Sequence, residues 1–181
     1  MLKSNIRKKI LNLRKLHNSK NIKLHFSTLN NILKKINLKN KSIGGYYPVN
    51  YEIDDLDILK KLEKKNFNIS LPAIKKNNEM DFYRWSFKDS LNSNVYGIPE
   101  PEQKQLIYPD IILVPLVAFD RRLFRIGYGG GFYDRYIEKL LKKKSFLTIG
   151  LAFSCQKINR VPNNKYDKKL DIIVTEKYIL K

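Results

Sequence analysis

The sequence predicts an α/β fold: a three-layer α/β/α arrangement around an open, mainly parallel sheet, with two amino-terminal helices packed on it. Three observations lead there. Short apolar runs such as Ile111–Val114, Thr148–Phe153 and Ile172–Thr175 have the continuous hydrophobicity of strands covered on both faces. Segments of helical period, Asp55–Lys65 and Phe132–Lys143, fall between the strand runs. Strands alternating with helices are joined most simply as parallel strands with crossover helices. No internal repeat or long linker divides the chain, so residues 1–181 read as a single domain.

The elements follow in order. Leu2, Ile6, Ile10 and Leu13 recur at helical spacing, as do Ile22, Phe26, Leu29, Leu33 and Ile36, with the polar stretch His17–Lys20 between them. Each helix has one apolar stripe and a basic outer face. Ser42–Tyr47 predicts a short strand halted by Pro48, and Asp54 caps a helix whose Leu56, Leu59 and Leu62 face inward. Asn68–Leu71 predicts a second strand stopped by Pro72, and Met80–Phe87 a third. Asn92–Gln103, with Gly97, Pro99 and Pro101, predicts an ordered loop. After the strand at Ile111–Val114 a long loop leads to a glycine cluster. The helix that follows carries the stripe Phe132, Tyr136, Leu140, with Ile137 and Leu141 alongside.

Composition excludes several classes. The single cysteine, Cys155, rules out an internal disulfide framework and a cysteine zinc site, and two histidines, His17 and His25, make a histidine-ligated metal a poor expectation. No run approaches the roughly 20 apolar residues of a membrane span. The basic, helical amino terminus lacks the apolar core of a signal peptide, so a cytoplasmic protein is expected. The net charge is +19, and residues 1–50 contain twelve basic side chains and no acid. Such a balance suits nucleic acid or acidic small molecules. Only 8 of the 36 basic residues are Arg, however, and the lysines are scattered in short groups. A compositional drift that enriches Lys, Asn and Ile together explains that pattern better than a dedicated nucleic-acid face.

Chemistry concentrates where four of the eight glycines fall within five residues: Gly127, Gly129, Gly130 and Gly131. They sit in Arg125-Ile126-Gly127-Tyr128-Gly129-Gly130-Gly131-Phe132-Tyr133-Asp134, after a strand and at the start of a helix. Glycines let backbone N–H groups turn toward a ligand, and a helix amino terminus adds partial positive charge, so the place suits phosphate. Arg125 offers a forked cation to the same anion, and Asp134 a carboxylate for magnesium. No Gly-Lys-Ser/Thr closes the loop, and it is a poor dinucleotide fingerprint. Lys3 and Arg7, four apart on the first helix, point the same way and could clamp a polyphosphate. Tyr47 and Glu52 bracket a proline at a strand's carboxyl end, where ligands of parallel sheets bind. Tyr96–Pro101 is a rigid segment that could wall a pocket for a flat heterocycle, or an ordinary proline-fixed turn.

Together these residues resemble the 5-formyltetrahydrofolate cyclo-ligase family. The likeness runs through Lys3-Ser4-Asn5-Ile6-Arg7, Tyr47 and Glu52, Gly97–Pro101, Asp110–Pro115 with Phe119-Asp120, Arg125–Arg135, Val161-Pro162 and Asp167–Glu176. It implies that Lys3–Arg7 and Arg125–Tyr133 bind ATP. It further implies that Tyr47, Glu52 and Tyr128, Gly129, Gly130, Gly131 and Phe132 contact the folate, and that Asp134 and Asp171 hold Mg2+. The implied reaction is ATP-dependent ring closure of 5-formyltetrahydrofolate to 5,10-methenyltetrahydrofolate. ATP and the folate are then the partners, with neither membrane nor nucleic acid, and a monomer is expected. Two departures stand out. Tyr166 replaces a frequent histidine, and Gly130 stands where animal members carry a lysine, which leaves Arg125 as the expected catalytic cation. The rival expectation is a basic nucleic-acid-binding α/β protein.

Overall fold

A computed structural model describes residues 2–18, 24, 26–34 and 41–181. Helix α1 spans Lys3–Asn18 and α2 Phe26–Lys34. Then come β1 (Ser42–Gly44), α3 (Leu56–Glu63), β2 (Asn68–Ile74) and β3 (Met80–Arg84). Three short strands follow: β4 (Leu91–Ser93), β5 (Pro99–Pro101) and β6 (Leu106–Ile107). The chain continues through β7 (Ile111–Pro115), β8 (Ala118–Phe119), β9 (Arg125–Ile126) and α4 (Phe132–Leu141). It ends with β10 (Leu147–Leu151), β11 (Ile172–Val174) and β12 (Ile179–Leu180). Ile22 and Ile36, expected on the second helical stripe, lie outside the described residues, as do the Phe26 side chain and part of the His17–Lys20 stretch.

The main sheet has eight strands in the order β12-β11-β10-β7-β1-β2-β3-β6. Its five central strands, β11 to β2, are parallel, and antiparallel strands flank them on both sides. Side chains alternate between the faces, as strand geometry requires. Ile43, Ile111, Leu113, Ile149 and Leu151 pack with Leu29 and Leu33 of α2 and Leu59 and Leu62 of α3. Ile112, Val114 and Ile173 pack on the other face with Tyr136, Ile137 and Leu140 of α4. That is the expected α/β/α layering. From β1 the chain passes over one face to β2; from β7 it passes over the other face to β10. Between β1 and β7 the connections therefore part in opposite directions, which opens a crevice at the strands' carboxyl ends.

Several expectations are corrected by the register. Pro72 does not stop β2, which pairs antiparallel with β3 through Pro72↔Phe82 and on to Ile74↔Met80. Gly45 donates to the Ser70 carbonyl at 2.9 Å, and the next rung in that register would need an N–H from Pro72. The proline thus ends the pairing of β1 with β2, not β2 itself, and widens the crevice. The stretch expected as a loop at Asn92–Gln103 carries the β4–β5 hairpin, with Pro99 and Pro101 tolerated because it is a two-stranded ribbon with free edges. The long loop before the glycines holds the β8–β9 hairpin. Asp54 does accept the Leu56 N–H at 3.0 Å, whereas its neighbour Asp55 turns inward and accepts the Tyr46 N–H at 2.9 Å.

Helix α1 crosses the carboxyl edge and packs Ile6 and Ile10 on Val117, Ala118, Ile126 and Val161. Its buried stripe is not the expected one. Leu2 and Leu13 are exposed, and the position four after Ile10 is filled by Arg14, only 1% exposed. On α4 likewise Leu141, expected alongside the stripe, is 61% exposed.

Core and surface positions should separate cleanly in denaturant. Leu59→Ala, at a fully buried site between α3 and the sheet, is expected to cost about 2–5 kcal/mol, against less than about 0.5 kcal/mol for Leu141→Ala. Equal effects in urea titrations would contradict the layering.

Candidate functional site

A cavity of about 680 Å³ opens at the carboxyl ends of β1, β2 and β7. One wall is the glycine loop, Gly127 to Gly131, running into the first turn of α4. Gly129 has φ +115° and Gly131, at the start of α4, has φ +68°, conformations that L-residues rarely adopt. Over Gly129 lies the Arg7 guanidinium, 3.5 Å from where a Cβ would stand. Arg7 Nε donates to the Gly127 carbonyl at 2.7 Å. One turn earlier, Lys3 Nζ is 2.7 Å from both oxygens of Asp167. The helical spacing of Lys3 and Arg7 thus places two cations on the lip of a loop whose N–H groups precede a helix.

The opposite wall comes from the segment after β1. Tyr46, Tyr47 and Glu52 reach the cavity, and Glu52 accepts the Val49 N–H at 2.8 Å. Burial pushes the Glu52 carboxyl up to about 7, against smaller lowering effects from the Val49 N–H, Arg14 and the Tyr128 hydroxyl. That hydroxyl is close enough to act on Glu52, although Glu52 Oε1 has no partner at full hydrogen-bond geometry. Asp55, fully buried behind Tyr46, is pushed well above the ordinary carboxylate range by the same loss of water. Asn94, Tyr96, Ile98 and Pro99 of the β4–β5 hairpin form a third side, with Tyr96 edge-on to Phe132 at 6.3 Å. Glu100 fixes that hairpin to β2 by accepting the Ile74 N–H at 3.0 Å and Asn94 Nδ2 at 3.2 Å.

The cavity therefore brings together Lys3, Arg7, Tyr47, Glu52 and every residue from Arg125 to Asp134. It does not bring in Ser4 and Asn5, which face solvent, or Ile6, which is buried under the β8–β9 hairpin. Arg125, the expected catalytic cation, lies in the cavity wall. Its guanidinium is buried, donating to the Lys168 carbonyl at 2.8 Å and pairing with Asp134 Oδ1 at 3.0 Å. A cation so tied holds the wall in place.

Asp171, expected from the resemblance to hold Mg2+, stands apart from this set. It lies level with Thr148 near the amino end of β10, outside the cavity, and its Oδ2 accepts the Thr148 N–H at 2.8 Å and hydroxyl at 2.6 Å. The acid that shares the cavity wall with Asp134 is Asp167. Arg125 stands between the two and feels both charges. Sequence reading missed Asp167 because both acids belong to one short motif, and only the fold shows which of them turns to the cavity. Among the described residues no cluster of three or more His, Cys, Asp or Glu could hold a metal on its own.

Comparison with known proteins agrees with this architecture. The model of the 5-formyltetrahydrofolate cyclo-ligase family matches residues 2–176. The 5-formyltetrahydrofolate cyclo-ligase of Haemophilus influenzae is 35% identical over 142 residues, covering 74% of this chain and 75% of that protein. The enzyme of the same name from Mycoplasma genitalium is 30% identical over 135 residues, covering 74% and 72%. The NMR structure of Aquifex aeolicus 5,10-methenyltetrahydrofolate synthetase superposes with a TM-score of 0.80 at 32% identity, over 100% of this chain and 93% of that one. With a matching family model over nearly its whole length and a shared fold, this chain belongs to the 5-formyltetrahydrofolate cyclo-ligase family of enzymes.

Proposed function

We propose that the protein closes the ring of 5-formyltetrahydrofolate to 5,10-methenyltetrahydrofolate, using ATP and releasing ADP and phosphate. The observation that carries this reading is the single cavity in which a glycine-loop phosphate cradle faces a carboxylate and aromatic side chains. The two halves match the two substrates. The rival reading, a basic nucleic-acid binder, leaves that cavity without a role.

The chemistry requires both halves at once. A formyl oxygen on nitrogen is a poor leaving group, so it first attacks the γ-phosphorus of ATP and ADP departs. The folate's N10 then attacks the activated formyl carbon, loses its proton, and the C–O bond breaks to release phosphate. Phosphoryl transfer needs in-line placement and charge neutralisation more than covalent help. The loop N–H groups from Gly129 to Phe132, Arg7 and Lys3 supply these in this chain. Ring closure is intramolecular, so a wall that holds the pterin and the aryl amine in register supplies much of its rate. Glu52, when ionised, presents two acceptors to the N–H groups of an amino-pyrimidinone ring, while Tyr47 and Tyr96 offer flat surfaces. The β4–β5 hairpin covers the cavity and limits the hydrolysis that would waste the activated formyl group.

The acids fit one magnesium ion in the manner usual for nucleotide sites, where one or two carboxylates share the ion with phosphate oxygens and water. Asp134 and Asp167 stand on the same wall as the glycine loop and would hold it, with Asp171 outside the cavity. Such an ion would neutralise charge on the transferred phosphoryl group. Arg125 pairs with Asp134 and Lys3 with Asp167, which orients the two carboxylates.

Near-ultraviolet absorbance of the methenyl product tests the reading. Protein mixed with 5-formyltetrahydrofolate should develop that band only with Mg-ATP, and a flat trace from folded protein would overturn the assignment. Arg7→Met should raise the KM for ATP roughly 10- to 100-fold, as expected for one charge-assisted contact, and lower stability by about 1 kcal/mol through the lost Gly127 bond. Arg125→Met should instead lower stability by about 1–3 kcal/mol, because it removes the buried guanidinium's bonds to the Lys168 carbonyl and to half-buried Asp134. Asp134→Asn and Asp167→Asn should lose about 10- to 100-fold in activity at limiting Mg2+. Asp171→Asn should cost stability by about 1–3 kcal/mol through its Thr148 bonds and leave the magnesium dependence unchanged. For the folate, kcat/KM should rise with pH through about 7 as Glu52 ionises, and Glu52→Gln should remove that limb.

A further inference from the structure

Arg14 is the largest fully buried charged side chain of the described residues, and the mechanism above gives it no direct task. It stands on the stripe of α1 that carries Ile6 and Ile10, where an apolar residue would be expected. A buried guanidinium is costly unless it is paired and hydrogen-bonded. Its Nη1 donates to the Leu116 carbonyl at 3.1 Å, just past the end of β7. Its Nη2 donates to the Tyr128 hydroxyl in the glycine loop, and its guanidinium carbon lies 5.7 Å from the Tyr128 ring centre. Nε has no partner within hydrogen-bonding reach. Tyr128 in turn stands beside Glu52, on which both Arg14 and Tyr128 act electrostatically. One row of α1 thus presents Lys3 to Asp167, Arg7 to Gly127 and Arg14 to Tyr128, so one rigid helix holds the glycine-loop side of the cavity at three points.

Resting on the reaction proposed above, we infer that Arg14 is a positioning residue that acts through Tyr128: it fixes the glycine-loop tyrosine against Glu52 and keeps that carboxylate in its acceptor form for the folate. The charged and titratable groups around Glu52 are consistent with this role. Arg14 approaches from α1 and Tyr128 from the glycine loop. Tyr133 approaches from α4, and Tyr46 and Asp55 belong to the segment around Glu52 itself. Among these five Arg14 is the sole cation, and with the Val49 N–H and the Tyr128 hydroxyl it opposes the burial that favours the neutral acid. A merely structural arginine would support stability without moving the ionisation of Glu52.

The test is the pH profile of kcat/KM for 5-formyltetrahydrofolate in wild type, Arg14→Met, Arg14→Lys and Tyr128→Phe, with thermal melts alongside. Arg14→Met should move the acidic limb upward by about one pH unit, and raise the folate KM more than the ATP KM. Arg14→Lys, which keeps the charge, should restore the limb to within about half a unit of wild type. Tyr128→Phe should move it upward by a smaller step. A limb that stays near 7 in Arg14→Met, whatever its melting temperature, overturns the inference. Should Arg14→Met fail to fold, an unmoved limb in Tyr128→Phe overturns it equally. Wild-type protein without Mg-ATP-dependent product would instead sink the underlying reaction, so the two failures are told apart.

Discussion

The site depends on the contact between α1 and the glycine loop. A run of four glycines in five residues is free to take many shapes, and freezing it carries an entropy cost. Arg7 on the Gly127 carbonyl and Arg14 on the Tyr128 hydroxyl fasten the loop from one side, while Arg125 and Asp134 fasten it from beneath. Ile6 and Ile10 keep the helix seated on the β8–β9 hairpin so that these contacts hold their register. Without that fastening the loop would still join β9 to α4, but its turns at Gly129 and Gly131 would not be held against the cavity.

The sheet explains why the cavity is where it is. Connections part between β1 and β7, and Pro72 removes the rung that would have carried β1 and β2 pairing further. Space opened by topology is then lined from every direction. Its walls are the segment after β1, the β4–β5 hairpin tied through Glu100, and the glycine loop. The electrostatics divide along the same lines. Cations collect on the loop side, and the buried acids Glu52 and Asp55 on the other, with Arg14 bridging between them.

Much of this was legible in the amino-acid order. The apolar runs of β7, β10 and β11 and the periodic helix α4 announce a covered parallel sheet, and the glycines with Asp134 announce an anion site before any fold is known. Three features were not legible. Pro72 read as a strand stop and Pro99 and Pro101 as parts of a loop, yet each sits in a strand, because only the ladder shows which edge its missing N–H faces. Arg14 read as one more charge on a basic outer face; its position four after Ile10, on the buried stripe, was the available signal. Arg125 and Asp171 read as site groups from the motifs that hold them, but motif membership does not show what each side chain is bonded to or whether it reaches the cavity. Arg125 is spent on Asp134 and Lys168, and Asp171 on Thr148, while Asp167 takes the place on the cavity wall.

Amide hydrogen exchange with a non-hydrolysable Mg-ATP analogue tests most directly that α1 and the glycine loop form the nucleotide half of the site. The account predicts added protection across Gly127–Phe132 and the first two turns of α1, with Thr148 and the residues around Asp171 unchanged. Protection confined to the strands' amino ends, or none at the loop under saturating analogue, would contradict it.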